Sequence, residues 1–230
     1  MYFLTWVIQN KELVKVVYAL AIAIICAFIV IKTDRLFRIS MYKGIRYFRN
    51  AFLFYGIAII IRYIFGAISS YKFIDIGNAA INFMFEYFMI MGGFFLLYSL
   101  LWGKIDDSEE EPASSLFNSK ISLFYAMAFI IVLLDYLWNS YYFLFSSQII
   151  LFLIMSIISF MNYVKKGKNS GFLKLYFIAM LSGFTAWMLN ALASIWLRWN
   201  QGVLIVVYIL NVAIFLLFLY GVIKATKRIK

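Results

Sequence analysis

Histidine is absent from this 230-residue chain, cysteine and proline occur once each, and acidic residues number only 10. Without histidine there is no imidazole for general acid–base catalysis, for haem ligation or for the usual zinc and di-iron sites. The single thiol, Cys26, can form neither an internal disulfide nor a CxxC redox pair. GxSxG, HExxH, P-loop and dinucleotide-binding glycine motifs are also missing from the sequence. We therefore expect a protein that is not an enzyme and that carries no cofactor or metal.

Apolar side chains dominate what is present: 66% of the residues are hydrophobic, 21% are aromatic and the mean hydropathy is +0.93. A soluble domain is only about half apolar. Because a transmembrane helix needs roughly 20 apolar residues, we predict an all-α integral membrane protein, a single seven-transmembrane helical bundle embedded in the lipid bilayer. The predicted spans are 14–32, 50–69, 79–102, 121–138, 141–163, 174–196 and 203–223.

Lysine and arginine number 21 and give a formal net charge of +11. Most of them follow the first, third and fifth predicted spans or lie near the C-terminus, and short basic loops are typical of the cytoplasmic side. We therefore expect no nucleic-acid partner, and we predict a multi-pass protein of the cell membrane with its N-terminus outside and its C-terminus in the cytoplasm. The acidic segment 103–119 is interpreted as a cytoplasmic linker, or alternatively as a docking site for a basic partner or a divalent cation.

The two halves on either side of this linker resemble each other. Residues 47–67 align with residues 174–194, and Gly56 then meets Gly183. Spans one to three and five to seven would be parallel repeats, with span four as their connector. This 3+1+3 plan resembles the seven-helix class that includes the SWEET sugar carriers, the PQ-loop proteins and the microbial rhodopsins. The resemblance implies a small-solute transporter acting as a homodimer.

Sequence motifs of that class are missing, however. There is no Pro-Gln dipeptide, and the only proline, Pro112, lies outside the predicted spans. A rhodopsin would have a lysine within its last helix, whereas Lys224 follows the last predicted span. We therefore expect no retinal, and the resemblance rests on helix number and on the repeat.

Three ionisable residues, Arg62, Glu86 and Asp135, lie inside the predicted spans. A charge at membrane depth is costly unless something holds it. At about 1.5 Å per residue, Arg62 and Glu86 lie at the same depth below the N-terminal side of the bundle, and Asp135 lies nearer the boundary. Four amide side chains fall near this level: Asn82, Gln148, Asn190 and Asn211.

Two interpretations of this polar layer remain open. In the first, Arg62 and Glu86 form an ion pair and the amides tie helices together at about 0.6 kcal/mol per hydrogen bond. In the second, the layer lines an outward-facing pocket in which Arg62 meets an anion, or Glu86 a cation or a proton. We favour a receptor or sensor-type module for a small ligand, signalling by helix movement or through a cytoplasmic or membrane protein partner. A small-solute transporter and a structural or assembly subunit are the alternatives.

Overall fold

The computed structural model describes residues 10–70, 77–105, 119–165, 171–195 and 201–228. Every secondary-structure element in these ranges is a helix, and seven helices are long and apolar enough to cross a membrane. The all-helical class and the number of span-length helices are therefore confirmed. The predicted acidic linker lies almost entirely outside the described residues.

We number the span-length helices in chain order. They are α1 (Lys11–Ser40), α2 (Lys43–Ile59, continued by Ile60–Phe65 and Gly66–Ser70), α3 (Asn78–Ile105), α4 (Ser119–Trp138), α5 (Tyr142–Lys165), α6 (Gly171–Ile195) and α7 (Gln201–Arg228). Most of them extend past the predicted apolar runs, because polar end residues continue the helix beyond the stretch that matches a bilayer.

The corner between α1 and α2 shows how this extension is stabilised. Asp34 forms ion pairs with Arg38, one turn later in α1, and with Arg49 in α2. α1 then ends where Met41 adopts a left-handed conformation with φ 54°, and the Met41 N–H donates to the carbonyl oxygen of Phe37 at 2.8 Å. These contacts carry α1 beyond its predicted end and fix the start of α2.

Six of the helices form a closed ring, and the seventh lies outside it. α1 packs on α2, α2 on α3, α3 on α5, α5 on α6 and α6 on α7, which returns to α1; α4 packs on the outside of α3 and α5. In the most apolar stretch of α3 61% of the residues are buried, against 22% for α4. The core therefore centres on α3, and α4 is the peripheral helix.

The helices run alternately up and down, so the bundle has two ends. We call the end at which α1, α3, α5 and α7 begin the N-face, and the opposite end the C-face. Arg62, Glu86 and Asp135 all lie in the half of the bundle next to the N-face, as their positions within α2, α3 and α4 require. The three ionisable residues that were predicted to lie near one depth are thus all found in the N-face half of the bundle.

α2 changes its helix type in this half. Residues Ile60–Phe65 form a π-helical segment, and Gly66 then returns the chain to an α-helix. A π-turn is wider than an α-turn, is rare, and frequently occurs at functional sites. Because Arg62 lies in this segment, the backbone irregularity of α2 coincides with its one interior charge.

Candidate functional site

Two connected cavities occupy the N-face half of the bundle. The larger, which we call the vestibule, has a volume of about 490 Å³ and is lined by the ends of α1, α2, α3, α6 and α7. The smaller, which we call the chamber, has a volume of about 130 Å³ and extends deeper between aromatic side chains. Four residues line both: Arg62, Tyr63, Asn190 and Asn211. The two cavities therefore meet at the π-helical segment of α2.

Arg62 is held at this junction by aromatic rings. The carbon at the centre of its guanidinium group lies 4.3 Å from the centroid of the Phe85 ring and 5.3 Å from that of Tyr141. A cation at this distance is attracted by the electron-rich face of a ring. None of the ion pairs or side-chain hydrogen bonds between described residues involves Arg62. No described residue therefore occupies its N–H donors, and the guanidinium group lines both cavities.

The ion pair between Arg62 and Glu86 that the first interpretation requires does not form. In the described part of the chain no carboxylate oxygen lies within 4.0 Å of the Arg62 nitrogens. The reason is that Arg62 lies against Phe85, the residue before Glu86, whereas the Glu86 carboxyl group lies within hydrogen-bond reach of Asp135 in α4. Equal depth in the bundle did not imply contact.

Asp135 caps the helix that follows its own. Its carboxylate accepts hydrogen bonds from the backbone N–H groups of Phe143 at 2.9 Å and Leu144 at 2.6 Å, and from the Ser140 hydroxyl at 3.3 Å. The first N–H groups of a helix lack partners within the helix, so a carboxylate at this position satisfies them. The predicted polar residue Asp135 thus finds its hydrogen-bond donors within the protein.

The backbone of Asp135 closes the other end of the same turn. Its carbonyl oxygen accepts from the N–H of Ser140 at 3.0 Å, and the Tyr136 carbonyl accepts from Asn139 at 3.2 Å. With Asn139 in the left-handed region at φ 48°, this is the Schellman arrangement that terminates helices. Asp135 therefore fixes both the end of α4 and the start of α5.

Glu86 is only 5% exposed, and its Oε2 atom is buried without a hydrogen-bond partner. The Glu86 and Asp135 carboxyl groups lie along a crevice of about 410 Å³. Asn82 lines both this crevice and the vestibule. The crevice between α3 and the α4–α5 turn is therefore a second polar region beside the main cavities.

Gln148 joins helices and lines neither the vestibule nor the chamber. It is fully buried, and its Nε2 donates to the carbonyl oxygen of Met89 at 3.3 Å. A Cβ atom on Gly93 would lie only 3.0 Å from the Gln148 amide, so a glycine here gives this side chain its space. Gln148 thus ties α5 to α3, as the first interpretation expects of the amides.

The remaining predicted amides surround the cavities. The Asn211 Nδ2 donates to the Tyr18 hydroxyl at 3.3 Å, which joins α7 to α1. Asn82 and Asn190 form no side-chain hydrogen bond with any described residue. Both of these amides can therefore donate to or accept from a ligand in the vestibule.

Sequence reasoning missed the tyrosines of the site. Tyr18, Tyr63 and Tyr208 form a three-ring cluster, with centroids 4.2 Å apart for Tyr18–Tyr208 and 5.4 Å apart for Tyr18–Tyr63. The sequence interpretation assigned tyrosine to membrane interfaces and helix packing. Only the position of Tyr63, one residue after Arg62, was a signal that could have pointed to this cluster.

A separate cavity of about 240 Å³ lies in the C-face half of the bundle. Its polar lining consists of neutral side chains, among them Thr33, Ser99 and Asn162. Phe218 lines this C-face cavity and also the chamber. Its ring centroid lies 5.1 Å from that of Phe52, which in turn lies 4.9 Å from that of Phe48. We call these three residues the phenyl layer, and it separates the chamber from the C-face cavity.

Comparison of the chain with protein-family models, with curated proteins and with solved structures finds no match. Family membership therefore contributes neither a ligand nor further residues to this site. The guide to function is the chemistry of the cavities themselves: one arginine and two amides that have no polar side-chain partner among the described residues, and a wall of aromatic rings.

Proposed function

We propose that this protein is a receptor-type membrane module that binds a small organic anion in the vestibule and chamber, with Arg62 contacting the anionic group. The observation that carries this proposal is the state of Arg62, whose guanidinium group rests on two rings and has no acceptor among the described residues. A guanidinium group presents paired N–H donors that match a carboxylate or a phosphate.

The walls of the two cavities indicate the rest of the ligand. Small-molecule sites are mostly apolar, with a few polar groups that orient the ligand. Phe85, Tyr141 and Trp187 line the chamber, and the Asn190 amide lines both cavities. An anion with an apolar or aromatic body therefore fits this site better than a fully hydrated inorganic ion.

The bundle supports a position in the cell membrane with the N-face outside. Large apolar side chains remain exposed around the ring, for example Ile24 at 54%, Ile150 at 55% and Ile209 at 65%, and lipid tails would cover them. Basic side chains such as Lys43 and Arg38 lie toward the C-face, which the positive-inside rule places in the cytoplasm. A ligand would then enter the vestibule from outside the cell and would be reported by helix movement to a partner.

The repeat interpretation gains support from two helix contacts. A Cβ on Gly56 in α2 would lie 3.1 Å from Cys26 in α1, and one on Gly183 in α6 would lie 2.4 Å from the Phe152 ring in α5. The two aligned glycines thus serve the same purpose, a close approach of the second helix of each half to the first. α3 on α5 and α7 on α1 then close the ring in equivalent ways.

Transport is the second candidate, and the C-face cavity favours it. That cavity and the chamber lie on opposite sides of the phenyl layer, so movement of these rings would connect them. A carrier of the 3+1+3 kind would alternate between the two openings. Binding at the N-face is common to both candidates and is the property to test first.

The test of binding uses the purified protein in lipid nanodiscs and three probes: benzoate, acetate and inorganic phosphate. We expect saturable binding of benzoate by calorimetry and a loss of about tenfold or more in affinity for Arg62→Gln, because a hydrogen bond to a charged group contributes about 1.5–3 kcal/mol. Arg38→Gln is the control, since that side chain is 80% exposed and pairs with Asp34 at the C-face end.

Equal affinities of Arg62→Gln and the wild type, or no saturable binding of any of the three probes, would contradict the proposal. Uptake of radiolabelled benzoate into proteoliposomes then separates the two candidates. Binding without uptake is the result expected of a receptor, whereas uptake that Arg62→Gln abolishes would identify a carrier.

A further inference from the structure

Among the described residues, Glu86 and Asp135 are the two buried carboxyl groups, and anion binding uses neither of them. They are 5% and 1% exposed, and their carboxyl groups lie within hydrogen-bond reach of each other. Glu86 Oε2 has no partner within the described residues, although it is buried. An unpartnered buried carboxyl oxygen is costly, so this contact needs a chemical explanation.

An ionised carboxylate can only accept hydrogen bonds. Two carboxylates in contact would therefore repel each other with no hydrogen atom between them. Asp135 already accepts from three donors, two of them backbone N–H groups at the first turn of α5, and such donors favour the charged form. Glu86 has no donor among the described residues. The hydrogen atom of the contact therefore belongs on Glu86.

We propose that Glu86 and Asp135 form a proton-binding carboxyl pair, in which Glu86 carries the proton and donates it to the Asp135 carboxylate. Tyr136 of α4 and Tyr141 before α5 are the other titratable side chains in the described lining of the crevice, and that lining includes no lysine or arginine. Arg62 of α2 lies on the rings of Phe85 and Tyr141 and forms no ion pair with Glu86. Among the described residues, therefore, no cation forms an ion pair with Glu86 in place of the proton.

The pair is built into the two segments that hold Arg62. Glu86 directly follows Phe85, and Ser140, which donates to Asp135, directly precedes Tyr141. Phe85 and Tyr141 are the rings that lie against the guanidinium group. Loss of the proton would leave two carboxylates that repel, moving α3 away from the α4–α5 turn and the two rings away from each other. The proton thus stabilises the aromatic support of Arg62.

Infrared spectroscopy of the ligand-free protein in nanodiscs at neutral pH tests this proposal. A protonated carboxylic acid has a C=O stretching band that a carboxylate lacks, and the band shifts in D₂O. We expect this band in the wild type and its loss in Glu86→Gln. Glu12→Gln is the matched control, because Glu12 is a partly exposed glutamate of the N-face that pairs with Lys15 at 2.8 Å, and its removal should leave the band unchanged.

Absence of the band from the wild type, or its persistence in Glu86→Gln, would overturn the proposal. Glutamine keeps an N–H donor toward Asp135, so Glu86→Gln should also fold with an unfolding midpoint close to that of the wild type. A Glu86→Gln variant that does not fold would also contradict the proposal. The neutral amide of glutamine would then fail to replace a neutral, protonated Glu86 side chain. Because no ligand is present, these outcomes are independent of anion binding.

Discussion

The two cavities on either side of the phenyl layer differ in charge. The chamber and vestibule contain Arg62, whose guanidinium group has no acidic partner among the described residues, whereas the C-face cavity is lined by neutral polar groups such as Thr33 and Asn162. α2 and α7 contribute to both cavities, so the difference does not come from separate parts of the fold. Glu12 and Lys15 also line the vestibule, but they pair with each other at 2.8 Å. The unpaired charge of the chamber and vestibule therefore lies in Arg62 and in the turn that positions it.

This difference bears directly on the choice between receptor and carrier. An anion that left Arg62 through the phenyl layer would enter a cavity whose described lining provides no counter-charge, at an unfavourable cost in desolvation. A receptor needs only the N-face cavity. The asymmetry between the two halves therefore favours a site that binds and releases its ligand on one side.

The largest expected effect comes from removing the cap in the N-face half. Asp135→Ala takes away the acceptor for two backbone N–H groups and one hydroxyl, and it leaves them unsatisfied in a buried turn. We expect a loss of about 2–4 kcal/mol in the free energy of unfolding, measured by SDS titration in mixed micelles. Asp34→Ala, at a half-exposed ion pair near the C-face, should cost no more than about 1 kcal/mol. Equal effects of the two substitutions would remove the distinction between the halves.

A smaller effect is expected at the wall of the chamber. The Cβ of Gly183→Ala would lie 2.4 Å from the Phe152 ring, so this ring or the two helices must shift, at a cost of about 1–3 kcal/mol. Gly66→Ala is the matched control: it also lies in a helix, but nothing lies within 4 Å of the added atom, and better helix propensity should stabilise it by up to about 1 kcal/mol. Opposite signs of these two shifts in unfolding free energy are the expected result.

The smallest effect concerns the polar lining of the C-face cavity. Thr33 is 1% exposed and its Oγ1 is buried without a hydrogen-bond partner. Thr33→Val replaces this hydroxyl by a methyl group, so we expect the protein to be unchanged or more stable by about 1 kcal/mol, and benzoate affinity to be unchanged. A loss of affinity as large as that of Arg62→Gln would show that the C-face cavity belongs to the ligand site.

Depth along the bundle was predictable from the sequence, because each helical residue advances the chain by a fixed length. Arg62, Asn190 and Asn211 accordingly line the same cavities. The side of the helix on which each side chain meets its neighbours was not predictable. It depends on how the neighbouring helices pack and on the π-helical segment of α2. Depth counting therefore placed Glu86 level with Arg62 but could not show that it contacts Asp135.

Contacts between distant parts of the chain were equally out of reach. Tyr18 and Asn211 are separated by 193 residues and meet only because α7 closes the ring on α1. A single sequence does not indicate which residues that are far apart in the chain come into contact. The cap on α5 was closer to prediction, since Asp135 and Leu144 lie on either side of a short turn, yet it was interpreted only as a charge near the boundary.

The π-helical segment of α2 has a consequence for how the site can be lost. Each residue rotates an α-helix by about 100°, so a wide turn that absorbs one additional residue leaves the helix on either side facing its neighbours as before. Deleting one residue within 60–65 would leave Gly56 against Cys26 and keep the rest of the ring in place. A single-codon deletion would therefore be expected to remove the proposed anion site while the surrounding helix packing is kept.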